Sequence, residues 1–497
     1  MVPDSPSPEW LEWGTEPFAR AARRHQPVLL SIVASWSEAC AHMDRETFAQ
    51  PAVRDLVAST VVPVRVDADR RPDVAARYGL GAWPSTVFLG PEGALLAGGT
   101  FADAERLIEV VRALADTFAK REGELRAAAL SALAAPADLP PPAAAVDWSM
   151  PTTFAARALG EFDETHGGFG PPPWHPPGEV LLFLIVHGTR HRDARLLHAA
   201  GTVLEAIQSE LIDSHDGGLY RAAAGPGWQS PDTARLLDGN AALLRVAAAA
   251  HAAGVSSAAA PMARGLVAFL RETLFDPQAG AFRLAQRGDT AWFAADTRER
   301  GGAPPVIDWC PVDGNARACR ALLSAAEALG DPALAEFAID TLDRVVSAAY
   351  ERGAGVAHVL DPRPRVRGLL ADQVAVSAAL LEAAAVSGRD FYADLAEELM
   401  RSAIVKLWDA PHGCFADRLR SPAGGGDIGL LGRPLYPLAA NAEAALVLRH
   451  LAARRGDAGL ANHADAMLRA LASRWDAAGL DAAPYALAVL GASEYRE

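Results

Sequence analysis

An apolar run, Val28 to Ala34, leads into Ser35-Trp36-Ser37-Glu38-Ala39-Cys40, so a serine and a cysteine stand three residues apart where a strand gives way to a helix. Two cysteines at that spacing would form a dithiol couple. The first sulfur, its pKa lowered by the positive end of the helix, would be the nucleophile. Here the first position is Ser37, whose hydroxyl ionises far too weakly for that role. Cys40 keeps only the resolving half of such a cycle, and its competing reading is a small buried apolar side chain. His42 lies two residues further along the helix and points elsewhere, so it does not share a metal with Cys40. No metal and no cofactor are expected. Farther along, Asp232, Asp238, Asp308, Asp313 and Asp372 fall near turns between expected helices, with Trp174, Trp228 and Trp309 nearby in sequence. Such carboxylates can carry proton transfers and such rings can stack on sugars. The competing readings are helix caps for the aspartates and core packing for the tryptophans. Cys310, Cys319 and Cys414 show no ligand spacing and read as buried packing residues.

The elements that must position these residues fall into two parts. Val28 to Ala34, a helix over Glu38 to Ala49, Val61 to Val66, Pro84 to Leu89, the turn Gly90-Pro91-Glu92-Gly93, Ala94 to Ala97 and a helix over Asp103 to Phe118 alternate as α/β structure. After Glu122 the chain reads as helical, with an Ala- and Pro-rich linker at Ala134 to Ala145. The expected division is 1–122, a connecting helix and linker over 123–148, and 149–497.

The second part repeats. An acidic residue, turn formers, glycine and an apolar residue recur as Asp163…Gly168-Phe169, Asp213…Gly218-Leu219, Asp276…Gly280-Ala281-Phe282, Glu351…Gly355-Val356, Asp409…Gly413-Cys414-Phe415 and Asp476…Gly479-Leu480. Each follows an amphipathic helix such as Asp193 to Leu211 or Ala333 to Ala349. Glycine there is expected to end a helix in the left-handed conformation. Six helical hairpins predict an all-α (α/α)6 toroid, with an open helical solenoid as the alternative.

The order of elements in the first part is that of a thioredoxin fold, and the chain resembles the spermatogenesis-associated protein twenty family: thioredoxin-domain proteins of unknown function joined to a six-hairpin glycosidase-like toroid. Trp10-Leu11-Glu12-Trp13, Met43-Asp44-Arg45-Glu46-Thr47-Phe48, Val66-Asp67-Ala68-Asp69, Ala82-Trp83-Pro84-Ser85-Thr86-Val87-Phe88-Leu89 and Gly217-Gly218-Leu219-Tyr220-Arg221 through Trp228 carry the likeness. The resemblance implies a cis peptide bond at Trp83-Pro84 beside the position of the active cysteines, here Ser37 and Cys40, and a strand able to pair with an extended peptide client, with Trp36, Trp83 and Pro84 as its binding residues. It also implies a toroid funnel suited to a sugar-like molecule. The chain departs from typical members at both polar centres. Ser37, Glu38, Cys40 and Ala41 replace a two-cysteine, histidine-flanked motif, and Asp232-Thr233-Ala234-Arg235 followed by Asp238-Gly239 replaces a His-Phe-Glu-Lys run followed by Tyr-Asp.

The bulk numbers set limits. The 497 residues are 51% hydrophobic and carry a formal charge of −15, which argues against nucleic acid and anionic membranes as partners. No signal segment and no span of membrane length is read, and the expected compartment is the cytoplasm. The leading expectation is a degenerate, non-redox binding or partner-interaction protein. The alternatives are a carbohydrate-active enzyme of glycosidase or epimerase type in the toroid funnel, and single-thiol redox chemistry at Cys40.

Overall fold

A computed structural model describes residues 8–134, 139–295, 302–362, 366–420 and 427–495. Of the expected Ala- and Pro-rich linker, residues 135–138 lie outside the described residues, as do residues 1–7 of the opening segment. The chain divides into two units, one of Met1–Leu139 with Arg420–Pro434, the other of Pro140–Leu419 with Leu435–Glu497.

In the first unit, β1 (Leu11–Glu12), β2 (Val28–Val33), β3 (Val62–Asp67), β4 (Ser85–Leu89) and β5 (Leu95–Gly99) form one sheet in the order β1-β3-β2-β4-β5. β2 runs parallel to β3 and antiparallel to β4, the thioredoxin-like arrangement. The unbroken apolar run of β2 follows from burial on both faces. Leu30 and Ile32 pack with Phe18 of α1 (Thr15–Arg24) and Val74 of α4 (Pro72–Tyr78), while Leu29 packs on the other face with Val57 of α3 (Pro51–Thr60) and Val111 of α5 (Ala104–Ala134). The helix expected over Glu38 to Ala49 is α2 (Glu38–Met43) continued by a π-helical turn over Asp44–Phe48. Leu431, 1% exposed, belongs to the α1/α4 cluster. Beside it the Leu430 N–H donates to Tyr78 Oη at 2.8 Å, and Arg77 donates to the carbonyls of Leu430 and Arg433.

The second unit is a closed ring. Its inner helices are α7 (Gly178–His191), α9 (Leu237–Ala252), α12 (Val312–Leu329), α14 (Leu370–Ser387), α16 (Leu438–Arg455) and α18 (Ala483–Ala492). Each packs on the next, and α18 returns to α7. The outer helices α6 (Met150–Glu161), α8 (Ala194–Glu210), α10 (Ala259–Phe269), α13 (Pro332–Ala349), α15 (Asp390–Leu407) and α17 (Ala458–Ala472) each pair with an inner one. A short α11 (Thr290–Phe293) precedes α12. This is the (α/α)6 toroid, and ring closure removes the solenoid alternative. By length and hydropathy α14 is apolar enough to cross a membrane, but 67% of it is buried within the protein. Its apolar character follows from its place inside the ring.

The recurring glycine motif has a different role from the helix stop expected of it. After the outer helices the chain forms two-residue antiparallel ribbons, such as Phe275–Asp276 with Ala281–Phe282 and Trp408–Asp409 with Cys414–Phe415. Gly167, Gly280 and Gly413 take φ of 62–65° in the ribbon turns, each with its N–H on the carbonyl of the motif aspartate at 2.8 Å. The apolar residue after the glycine is then clamped to the next inner helix by a buried amide. Asn240, Asn315, Gln373 and Asn441, each the fourth residue of α9, α12, α14 or α16, accept from the N–H of Leu219, Phe282, Val356 and Phe415. These clamps fix the starts of the inner helices, and the starts carry the acidic residues.

Candidate functional site

Ser37 and Cys40 are both buried at the start of α2. Ser37 caps α2 and receives the Cys40 N–H at 3.4 Å. Cys40 is 4% exposed, and its Sγ accepts from the Ala34 N–H. Burial pushes the Cys40 thiol up, outweighing the opposing pull of the Ala34 and Ser37 hydrogen bonds. Trp36 is also buried, with its indole N–H donated to Asp69 Oδ2 at 2.8 Å. Trp83-Pro84 is cis, as the resemblance implied.

The tryptophans offered as stacking faces are core residues. Trp174 and Trp228 pack against one another with centroids 5.2 Å apart, and their indoles donate to the carbonyls of Gly170 and Gly167. Trp309 is buried, its carbonyl receiving the Leu284 N–H. Trp174 and Trp228 border a separate cavity of about 500 Å³, and none of the three tryptophans lines the cavity described below. Asp232 pairs with Arg221 at 2.5 Å and caps a turn at Ala234, and Asp308 is exposed. Neither joins the cluster that follows. Cys310, Cys319 and Cys414 are buried as expected, and burial pushes Cys310 and Cys414 up to about 11.

Three of the candidate aspartates do converge. Asp238 and Asp313 are the second residues of α9 and α12, and Asp372 is the third of α14. Arg317, one turn below Asp313 on α12, places the same nitrogen 2.8 Å from Asp313 Oδ2 and 3.5 Å from Asp238 Oδ2. Gly314 keeps Asp238 close, since a Cβ at this position would lie 2.9 Å from Asp238 Oδ1. Asp372 is fully buried and its Oδ1 lies 2.9 Å from His358 Nδ1. The His358 carbonyl in turn accepts the first N–H of α12, from Val312, at 2.9 Å, which ties the histidine to the same helix end. Donor atoms of Asp313, His358 and Asp372 all lie within 4.8 Å of one another.

The environments differ. Burial pushes Asp372 up to about 6, with His358 pulling the other way. Burial acts on Asp313 too, but Arg317 and His358 overcome it and hold its carboxyl below the usual range. Asp238 is ringed by protein yet faces open space, its side chain 57% accessible. Its surroundings push it up against the pull of Arg317, an upward push that solvent contact weakens.

Arg317 also forms part of the wall of a cavity of about 690 Å³ inside the ring. Glu179, Arg245, Arg320, Glu382 and Glu443 are among its other charged walls, with Leu182 and Leu487 among the apolar ones. Arg320 bridges Glu382 at 3.0 Å and Glu443 at 2.7 Å. A space of this size suits a small molecule. His358, Arg317 and these cavity charges went unread in the sequence. Leu237-Asp238-Gly239-Asn240 and Val312-Asp313-Gly314-Asn315, repeated as Leu370-Ala371-Asp372-Gln373 and Leu438-Ala439-Ala440-Asn441, were the signal that could have located this end of the ring.

Residues 4–135 match a family of thioredoxin-like proteins (Thioredox_DsbH) described as a protein of unknown function, DUF255. Among curated proteins, the chain is 28% identical over 261 residues to an uncharacterized protein, B0495.5, of Caenorhabditis elegans, and 26% identical over 312 residues to spermatogenesis-associated protein 20 of Homo sapiens. These matches take in 48% and 57% of this chain but only 35% and 39% of the relatives, so the chain matches little more than a third of their length. A cellobiose 2-epimerase from Spirochaeta thermophila superposes with a TM-score of 0.51 at 17% identity, over 65% of this chain and 84% of that one. A sugar epimerase from a ruminal bacterium gives 0.52 at 15% identity, over 66% and 87%. At such identities the likeness is one of fold. Together these findings bear out the resemblance read from the sequence, a thioredoxin-like region followed by a glycosidase-like toroid.

Proposed function

We propose that the chain acts through its toroid, binding a polyhydroxylated, sugar-like molecule in the ring cavity and moving protons on it with the carboxylates at the inner-helix ends, while the thioredoxin-like unit is a non-redox platform. The observation that supports this reading is the convergence of Asp238, Asp313, Asp372 and His358 around Arg317, which also walls the cavity. Hydroxyl groups suit such a wall because they donate to carboxylates such as Glu382 and Glu443 and accept from guanidinium groups such as Arg245 and Arg320. Apolar walls then take the C–H faces of a sugar ring.

Asp238 is the member placed to meet the substrate, since it alone of the three aspartates faces open space to more than half its surface. Arg317 positions it and shares its charge with Asp313, so that one carboxyl can carry a proton while the other stays ionised. A sugar whose C–H beside a carbonyl lies within reach of Asp238 would lose that proton to the carboxylate and regain one from the carboxyl or solvent, exchanging or epimerising, whereas a glycoside whose bridging oxygen takes the proton of the Asp238 carboxyl would be cleaved by water adding at the anomeric carbon.

The test is to incubate the full chain in D2O with a panel of free aldoses, uronic acids and disaccharides and follow them by NMR. Deuterium incorporation, epimerisation or cleavage of at least one sugar is expected, lost by 100-fold or more in Asp238→Asn, in keeping with the usual contribution of a general acid or base of about 10²- to 10⁴-fold. An Asp238→Asn protein as active as the parent on that sugar would overturn the assignment.

A further inference from the structure

We propose that Asp313, His358 and Asp372 form a site for one divalent cation of the first transition row. The inference rests on reading the inner-ring cluster as the functional site, and gives that site a Lewis-acid centre beside Asp238.

Four observations converge on it. The first is separation: the three donor atoms lie within 4.8 Å of one another, and a cation with bonds of about 2.0 to 2.2 Å draws its ligands to within about 4.4 Å, so only a small closure is needed. The second is an orphan, because Asp372 Oδ2 is buried with no hydrogen-bond partner among the described residues, a costly state for a carboxylate oxygen unless a ligand meets it. Asp372 Oδ1 lies 2.9 Å from His358 Nδ1, and a cation taken up between the two side chains would displace the proton that this hydrogen bond shares.

The third observation is charge. Among the described residues, one guanidinium lies within ion-pair distance of Asp238, Asp313 and Asp372, that of Arg317, which is engaged with Asp313 and Asp238. With His358 neutral, as a metal ligand must be, two negative charges are left over, and a divalent cation cancels both. The fourth is location, since Asp313 and Asp372 sit in the first turns of α12 and α14, where the positive helix ends favour the ionised carboxylates that metal binding requires. One imidazole with two carboxylates suits manganese, cobalt or zinc better than calcium or magnesium, which prefer all-oxygen shells.

Binding is tested on the full chain with the metal alone. Equilibrium dialysis against Zn2+ should leave one equivalent bound per chain, and Co2+ should give visible absorption bands of a nitrogen- and oxygen-ligated ion. Asp372→Asn and His358→Gln should each weaken binding by at least about 10-fold, as should Asp313→Asn, at the more accessible ligand, if burial prevents the first two from folding. Asp232→Asn, outside the cluster, should bind as the parent does. No bound metal after dialysis, or binding that survives the ligand substitutions in folded protein, would overturn the proposal. Metal bound at these residues without any sugar chemistry at Asp238 would leave the cation site standing and remove the proposed function. Sugar chemistry by protein that takes up no metal would do the reverse.

Discussion

At Cys40 the loss of a neighbouring cysteine and the burial of the remaining thiol act in one direction. The thiolate is disfavoured because burial removes Sγ from water, a cost that the hydrogen bonds of Ala34 and Ser37 offset only in part. Alkylation of the folded protein is therefore expected to be slow at pH 7 to 8 and to rise only above the range of a free thiol, about 8.5, with no fast phase assigned to Cys40 by comparison with Cys40→Ala. A rapid phase near neutral pH that disappears in Cys40→Ala would restore a redox role. The Ser37 and Cys40 pair was legible in the sequence because it is a local motif. Asp238, Asp313 and Asp372 were legible as residue types, but their convergence with His358 was not. His358 reaches the start of α12 through a backbone hydrogen bond across 46 positions, a contact that no local spacing encodes.

Among the elements, the buried amides do the most to place the site. Each joins the ribbon of one repeat to the inner helix that follows, satisfying ribbon groups that would otherwise be buried without partners. Asn441 shows the complete pattern, accepting from the Phe415 N–H and donating to the carbonyls of Phe415 and Pro437. Asn441→Ala would orphan these groups at about 1 to 3 kcal/mol each, so a loss of roughly 2 kcal/mol or more is expected from urea unfolding, with the Asp238 chemistry retained in protein that remains folded. A change within about 0.5 kcal/mol would show that the clamp carries no stability. The acidic-glycine half of this repeat was readable because glycine at positive φ leaves a recurrent mark. Its amide half was not read, since Asn, Asn, Gln and Asn sit in helices whose other residues vary, and asparagine at the fourth helical position has no strong local preference to betray it.

In the molecule as a whole, the ring's order was readable from six repeats, because an amphipathic hairpin has few ways to bury its apolar face and ring closure is one of them. The place of Arg420–Pro434 was not readable. Leu431 enters the α1/α4 cluster from more than 350 positions beyond Tyr78, and neither its composition nor its neighbours mark it as part of an α/β core. The proposed division of labour rests on the two interiors: one unit encloses a buried thiol, and the other encloses carboxylates, guanidinium groups and a histidine around open space. The most direct test of that division is a crystal structure of the full chain soaked with the sugar that emerges from the NMR panel. The account predicts the sugar inside the ring, with hydroxyls on Glu382, Glu443 or Arg245 and a reacting atom within about 3 Å of Asp238. A sugar found only at the Trp83-Pro84 strand, or anywhere outside the ring, would contradict it.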